Sequence, residues 1–289
     1  MPLLYILILA VVQGLAELLP VSSSAHVVVA EKLLGLDPSS PPMTLLLVML
    51  HTGTMFAVIV YFWKQWRGTY FQNMAAFKGF VGFTLLATAL TGLIGEAIIK
   101  IIEGTFFRGV PHADIEDLFS HLELMAPALA LAGILILVAG VVENGKSTEG
   151  SVNASDLNAR KAGIIGAVQG LCLPFRGFSR SGATISVGML LGVAKSRAEM
   201  FSFALAVLLT PAVVVREVTR VVHAEHETGA TTLASLAFPS LLGAFLAFLA
   251  GLVALKWLSR WLETGRWYIF GIYCLAAALA VTYLHHLGY

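Results

Sequence analysis

Apolar positions along this chain gather into long runs separated by short polar breaks, and at its start the break comes too early. Ten apolar residues, Leu3 to Val12, lead into a polar stretch, Gln13 to His26, and about ten more, Val27 to Leu36, follow it. A helix needs roughly 20 residues to cross a hydrocarbon core of about 30 Å, so neither flank spans. The chain is expected to dip into a membrane, turn at the polar stretch, and leave by the side it entered. Non-helical backbone at that depth survives only when buried in protein or lining a wet cavity, which makes Gln13 to His26 a candidate site. Six runs are long enough to span: Met43 to Phe62, Lys78 to Ile102, Leu124 to Val142, Phe201 to Val215, Phe238 to Leu255 and Trp267 to Leu284. The fourth is short unless Ala198 to Met200 extend it. Prolines in the loop 37–42 end any helix there. Trp63 to Arg67 read as an interfacial belt, and the polar linker Glu143 to Lys161 reads as a solvated loop.

Composition agrees. Of 289 residues, 58% are apolar and 12% charged, and the mean hydropathy is +0.85. The expected class is an all-α integral membrane protein forming a single membrane domain over residues 1–289. A net charge of +1 gives no reason to expect nucleic acid. Cys172 and Cys274 make neither a disulfide framework nor a metal quartet. No Lys or Arg precedes Lys32, so the first segment is kept as part of the mature protein rather than read as a signal peptide. Lys64, Arg67, Lys78, Lys146, Arg160, Lys161, Lys256, Arg260 and Arg266 fall in one set of loops; Lys100, Arg108, Arg216 and Arg220 fall in the other. That second set carries Asp114, Glu116, Asp117, His121, Glu225 and His226. The positive-inside rule places the first set in the cytoplasm, so the first dip and both termini face outward.

A repeat underlies the pattern. Val12-Gln13-Gly14-Leu15 recurs as Val168-Gln169-Gly170-Leu171, and Leu33-Leu34-Gly35-Leu36 as Leu190-Leu191-Gly192-Val193, at offsets of 156 and 157. Between them Ser22, Ser23 and Ser24 correspond to Ser179, Arg180 and Ser181. Three spans separate the copies, and an odd number of crossings reverses orientation. The second dip, Ala162 to Ala194, is therefore expected to enter from the cytoplasm. The result is an inverted-topology repeat: six transmembrane helices plus two re-entrant helical hairpins, with the polar tips meeting near the midplane. Repeat one covers approximately 1–142, the linker 143–161, and repeat two approximately 162–289.

The second tip runs from Pro174 to Thr184 and holds Arg176, Ser179, Arg180, Ser181, Gly182 and Thr184. Arginine at membrane depth points to function. Gly177 and Gly182 let backbone approach a ligand. Ser179 or Ser181 would cap a helix starting near Gly182, whose N-terminus favours an anion, and guanidinium adds bidentate recognition. Together these make a phosphate cradle. In the first tip Gln13 and Glu17, four apart, share a helix face and could hold a divalent cation such as Mg²⁺ or Ca²⁺ through oxygen. Ser22 and Ser23 offer phosphate contacts or a nucleophile, and His26 a general base, acid or nucleophile. Plainer readings stand beside these: Ser22 and Ser23 as helix caps, Glu17 as an ion-pair partner of Arg180, His26 as a structural hydrogen-bonder, Arg176 as a snorkelling or neutralising charge. His51 within the first span reads as lining.

At these residues the sequence resembles the undecaprenyl-diphosphate phosphatase (BacA/UppP) family of bacterial inner membranes. The first family motif is matched by Gln13, Glu17, Pro20, Val21, Ser22, Ser23 and His26. The second is matched from Gly177 through Ser179, Arg180, Ser181, Gly182 and Thr184. The resemblance implies hydrolysis of the lipid diphosphate to the monophosphate, recycling the carrier used in wall-polymer synthesis, with the site opening to the periplasmic side. It implies that Glu17 with Gln13 serves the metal or the attacking group. Ser22, Ser23 and His26 would sit at the reacting phosphorus, and Arg180 with Ser179, Ser181 and Thr184 would hold the diphosphate. Ser23, His26 and water all stand as candidates for the attacking group. Expected partners are a polyprenyl diphosphate and membrane lipids; a homodimer is left open. Gln13 stands where many members have Glu, Arg176 where the motif has Pro, and Ala25 where Gly is usual. The competing expectation is a polyprenyl-phosphate flippase using the same inverted-repeat site.

Overall fold

A computed structural model describes residues 2–36, 41–106, 122–145, 156–228 and 233–287. The loop positions 37–40, Arg108, the acidic and histidine-bearing stretch from Asp114 to His121, and Lys146 lie outside the described residues. Ten helices are described. They are α1 (Leu3–Leu18), α2 (Ser23–Leu33), α3 (Pro41–Thr69), α4 (Met74–Phe106), α5 (Leu122–Asn144), α6 (Ala159–Cys172), α7 (Arg180–Leu190), α8 (Lys195–Thr228), α9 (Leu233–Glu263) and α10 (Tyr268–His286). Among the described residues, five segments are long and apolar enough to cross a membrane: Met43–Thr69, Met74–Thr105, Leu124–Asn144, Phe238–Glu263 and Tyr268–His286. The chain is a multi-pass membrane protein. The expected Phe201 to Val215 span lies within α8, which is not among those five.

The first polar stretch differs from expectation. Gln13 to Leu18 continue α1, Ser23 already begins α2, and the turn between them is confined to Leu19–Ser22. A helix satisfies its own backbone donors and acceptors, so polar side chains at depth need no break in the backbone. What ends α1 is Pro20, which has no N–H to continue the ladder. Val21 N then bonds Leu19 O at 2.8 Å, and Ser22 takes φ 69°, the left-handed region that a residue with a Cβ rarely enters. At 1.5 Å per residue, the 16 residues of α1 and 11 of α2 reach about 24 and 17 Å. The 14 of α6 and 11 of α7 reach about 21 and 17 Å. None matches the hydrocarbon thickness.

Each short pair leans on the other half of the chain. Gly14 in α1 lies against α9, where an added Cβ would stand 2.8 Å from Ala247 O. Gly170 in α6 lies against α4, where it would stand 2.7 Å from Thr91 O. The two Gln-Gly copies thus serve one purpose, letting backbones approach closely where any side chain would hold them apart. Helices α5 and α10 pack together along their length, as do α3 and α9. Phe62, Trp66, Phe203 and Trp267 fill the main core. The indole N–H groups of Trp66 and Trp267 donate to Met200 O (3.2 Å) and Ser186 Oγ (3.0 Å). Outward faces stay apolar: Leu85, Leu93, Ile101, Phe245 and Leu279 are each more than half exposed, the arrangement a lipid solvent requires.

Candidate active site

The tips of the two short pairs meet, and these contacts among the described residues join them. Arg180 Nη2 donates to Glu17 Oε1 at 2.7 Å, Gly177 N to Ser24 Oγ at 3.3 Å, and Ser181 Oγ to Leu19 O at 3.5 Å. Gly177 has φ 100°, which carries the chain round the tip without the clash a Cβ would bring. Ser179 caps α7 by accepting from Gly182 N at 3.2 Å, so the helix starts at Arg180 rather than near Gly182. The first turn of α7 therefore faces the first tip with its positive end.

Glu17 is the hub. Its Oε1 accepts from Arg180; its Oε2 accepts from Ser23 Oγ at 2.5 Å and from Gln13 Nε2 at 3.3 Å. His51, reaching in from α3, brings Nε2 to 3.7 Å from the same Oε2. The ion pair with Arg180, the plainer of the two readings of Glu17, is present, and the Ser23 hydroxyl joins it on the other carboxylate oxygen. Ser23 does not act as a cap. Ser22 occupies the N-cap position of α2 without a side-chain cap bond, its hydroxyl 3.2 Å from Ser24 Oγ.

His26 is not within the Ser23–Glu17 pair. Its Nδ1 donates to Ser22 O at 2.8 Å, which leaves Nε2 as the acceptor of the Tyr273 hydroxyl at 2.7 Å. The rings of His26 and Tyr273 stack at 5.6 Å. The group that accepts from the Ser23 hydroxyl is thus the carboxylate, where sequence spacing suggested an imidazole. Thr184 is fully buried, with its hydroxyl 2.6 Å from Ser202 Oγ and donating to Arg180 O at 2.8 Å. It braces α7 against α8 instead of opening into the tip. Arg180 is the arginine that meets Glu17, and Arg176 sits half-buried in the turn before α7. Cys172 is buried, its thiol donating to Val168 O.

Two residues outside both motifs join this region. Tyr273 comes from α10, 247 positions from His26. His51 lay in the sequence as a polar residue inside an apolar span, a signal that marked lining without saying what it faced. For a divalent cation the oxygen donors present are the Glu17 carboxylate and, with its amide turned over, Gln13; carboxylate and amide oxygen suit such an ion. Among the described residues no group of three or more His, Cys, Asp or Glu stands close enough to hold a metal.

Comparison with known proteins follows the same residues. The family described as "Bacitracin resistance protein BacA" matches positions 6–280. The chain is similar to "Undecaprenyl-diphosphatase 2" of Acinetobacter baylyi, 61% identical over 96% of this chain and 95% of that one. It is also similar to proteins named "Undecaprenyl-diphosphatase" from Rhodopirellula baltica and Parabacteroides distasonis. The first is 31% identical over 98% of each chain, the second 30% identical over 94% of each. With a match that runs through both tips and nearly the whole length, the chain belongs to the BacA family.

Proposed function

We propose that the chain hydrolyses undecaprenyl diphosphate to undecaprenyl phosphate and inorganic phosphate, returning the lipid carrier to wall-polymer synthesis. The names of its relatives support this. The observation that carries it is Ser23 donating to Glu17 while Arg180 holds the other oxygen. A diphosphate entering between the tips offers oxyanions that compete for the Arg180 fork, as the first turn of α7 does for their charge. Arg180 then passes from carboxylate to phosphate. Glu17, relieved of its cation, accepts the Ser23 proton as Ser23 Oγ attacks the terminal phosphorus. The anhydride bond breaks toward the lipid monophosphate, which takes the proton from Glu17. The carboxylate, free again, deprotonates a water that attacks the phosphoserine, and the proton returns to Ser23 Oγ as phosphate leaves. A divalent cation held by Glu17 and Gln13 would, when bound, neutralise charge on the diphosphate. Tyr273 fixes the His26 ring beside the site.

In the same proposal six spans and two re-entrant pairs form an inverted repeat in the bacterial inner membrane, with α8 contributing the sixth span. Support comes from the reciprocal leaning of α1 on α9 and α6 on α4. The positive-inside bias then opens the site toward the periplasm. Translocation of the lipid phosphate has no observation in its favour: carriage has no use for a hydroxyl aimed at a carboxylate.

The test is phosphate release from undecaprenyl and farnesyl diphosphate by purified protein in detergent, with a divalent cation and with EDTA. Release lost in Arg180→Ala and in Ser23→Ala is the expected result. No release from any prenyl diphosphate with a cation present sinks the proposal.

A further inference from the structure

His51 stands in an unusual relation to Glu17. Its Nδ1 lies 2.8 Å from Leu47 O. A carbonyl can only accept, so Nδ1 carries the hydrogen and the neutral ring presents a lone pair at Nε2. That lone pair faces a carboxylate oxygen at 3.7 Å, too far for a hydrogen bond. Two acceptors held face to face repel unless something positive lies between them, either a proton on Nε2, which makes an ion pair, or a metal cation. Two donors each about 2.1 Å from one cation, at angles of 90–120°, stand about 3.0–3.6 Å apart, close to what is found here. The Gln13 amide is 3.3 Å from the same Glu17 oxygen, and turning it over places oxygen where nitrogen stands. Metal-binding histidines characteristically donate their other N–H to a carbonyl, as His51 does to Leu47. Its side chain is 42% exposed, whereas Gln13 is 1% exposed, so an ion has access from the His51 side.

We infer that His51 Nε2, Glu17 Oε2 and the Gln13 amide oxygen are three ligands of one divalent cation. The imidazole makes the site favour a first-row transition ion such as Mn²⁺ over Ca²⁺. This rests on the phosphatase reading for the purpose of the cation, though not for its ligands. The nitrogen donor comes from α3, outside the motif that Gln13 and Glu17 share, and it makes up for the carboxylate that Gln13 lacks. Imidazole is a good donor to transition ions and a poor one to Mg²⁺ and Ca²⁺, which reverses the preference that two oxygen donors alone suggest.

Full-length protein in detergent, loaded with Mn²⁺, tests this by electron spin echo spectroscopy. The expected spectrum carries modulation from a coordinated imidazole nitrogen. Labelling histidine alone with ¹⁵N shifts that modulation to the ¹⁵N frequencies, with no substitution needed. His51→Gln loses it and binds Mn²⁺ at least about tenfold more weakly, since losing even an outer partner of a ligand has that effect. His26→Gln keeps it. Wild-type protein that binds no Mn²⁺, shows no nitrogen modulation, or retains it in His51→Gln overturns the assignment, as does Ca²⁺ displacing Mn²⁺ at equal concentration. Nitrogen modulation missing while phosphate release persists overturns the ligand assignment and leaves the phosphatase reading standing. Modulation present without phosphate release does the opposite.

Discussion

Glu17 is paired before any substrate arrives, and this sets what its neighbours can do. Arg180 donates to one carboxylate oxygen and the Ser23 hydroxyl to the other. Glu17→Gln preserves the shape and removes the base. Phosphate release is expected to fall about 10²–10⁴-fold, measured on farnesyl diphosphate, with the protein still folded by thermal melting. Arg180→Lys keeps the charge but not the two-pronged fork, so it should retain more activity than Arg180→Ala, which loses about 10²-fold or more. Much of this was legible in the chain. Gln13 and Glu17 four apart on a helix had to share a face, and an arginine flanked by serines after glycine had to be a tip. What spacing could not supply was the direction of each hydroxyl. Ser23 and His26 are three apart and look like a pair, yet each turns to a partner on another element, Glu17 on α1 and Tyr273 on α10. Thr184 looked available for phosphate until Ser202, from the next helix, claimed its hydroxyl.

At the scale of elements, the contacts that hold the short pairs are backbone against backbone. Gly14→Leu and Gly170→Leu should each destabilise by about 1–3 kcal/mol or more, read as a lower melting temperature in detergent, because the side chain meets a carbonyl rather than a flexible neighbour. Glu199 at the start of α8 behaves differently. Burial pushes its carboxyl from 4.5 up to about 7, against the opposing hydrogen bond from Ser259. Below pH 4.5 it is protonated folded or unfolded. Between 4.5 and 7 the unfolded chain ionises first and stability falls, by about 3 kcal/mol in all, and above 7 the loss is complete. Melting curves from pH 4 to 8 should show that slope in wild type and a flatter one in Glu199→Gln. Helix boundaries were less legible than helix existence. Hydropathy drops at Trp63, where aromatic and basic residues begin, but α3 runs on to Thr69 because water tolerates a helix as well as lipid does.

At the scale of the whole molecule, the proposed inverted repeat makes a testable statement about sides. Leu33 and Leu190 end the second helix of each short pair, at matching places in the repeat, and both are exposed. An impermeant maleimide applied to intact cells should label Leu33→Cys and not Leu190→Cys, and inverted vesicles should reverse the result. Cys172 and Cys274 are buried and give little background. Labelling of both from one side contradicts the inverted repeat. The leaning of α1 on α9 also has a consequence in time. The surface on α9 that receives Gly14 is made more than 200 residues after Gly14 itself, which at 5–20 residues per second is roughly 10–50 s of synthesis. Throughout that interval α1 lacks its landing site, and for the first 163 residues after Glu17 it lacks Arg180 as well. The first short pair therefore gains its final packing only late in synthesis, and a chain arrested before Arg180 leaves that carboxylate without its arginine and open to quality control.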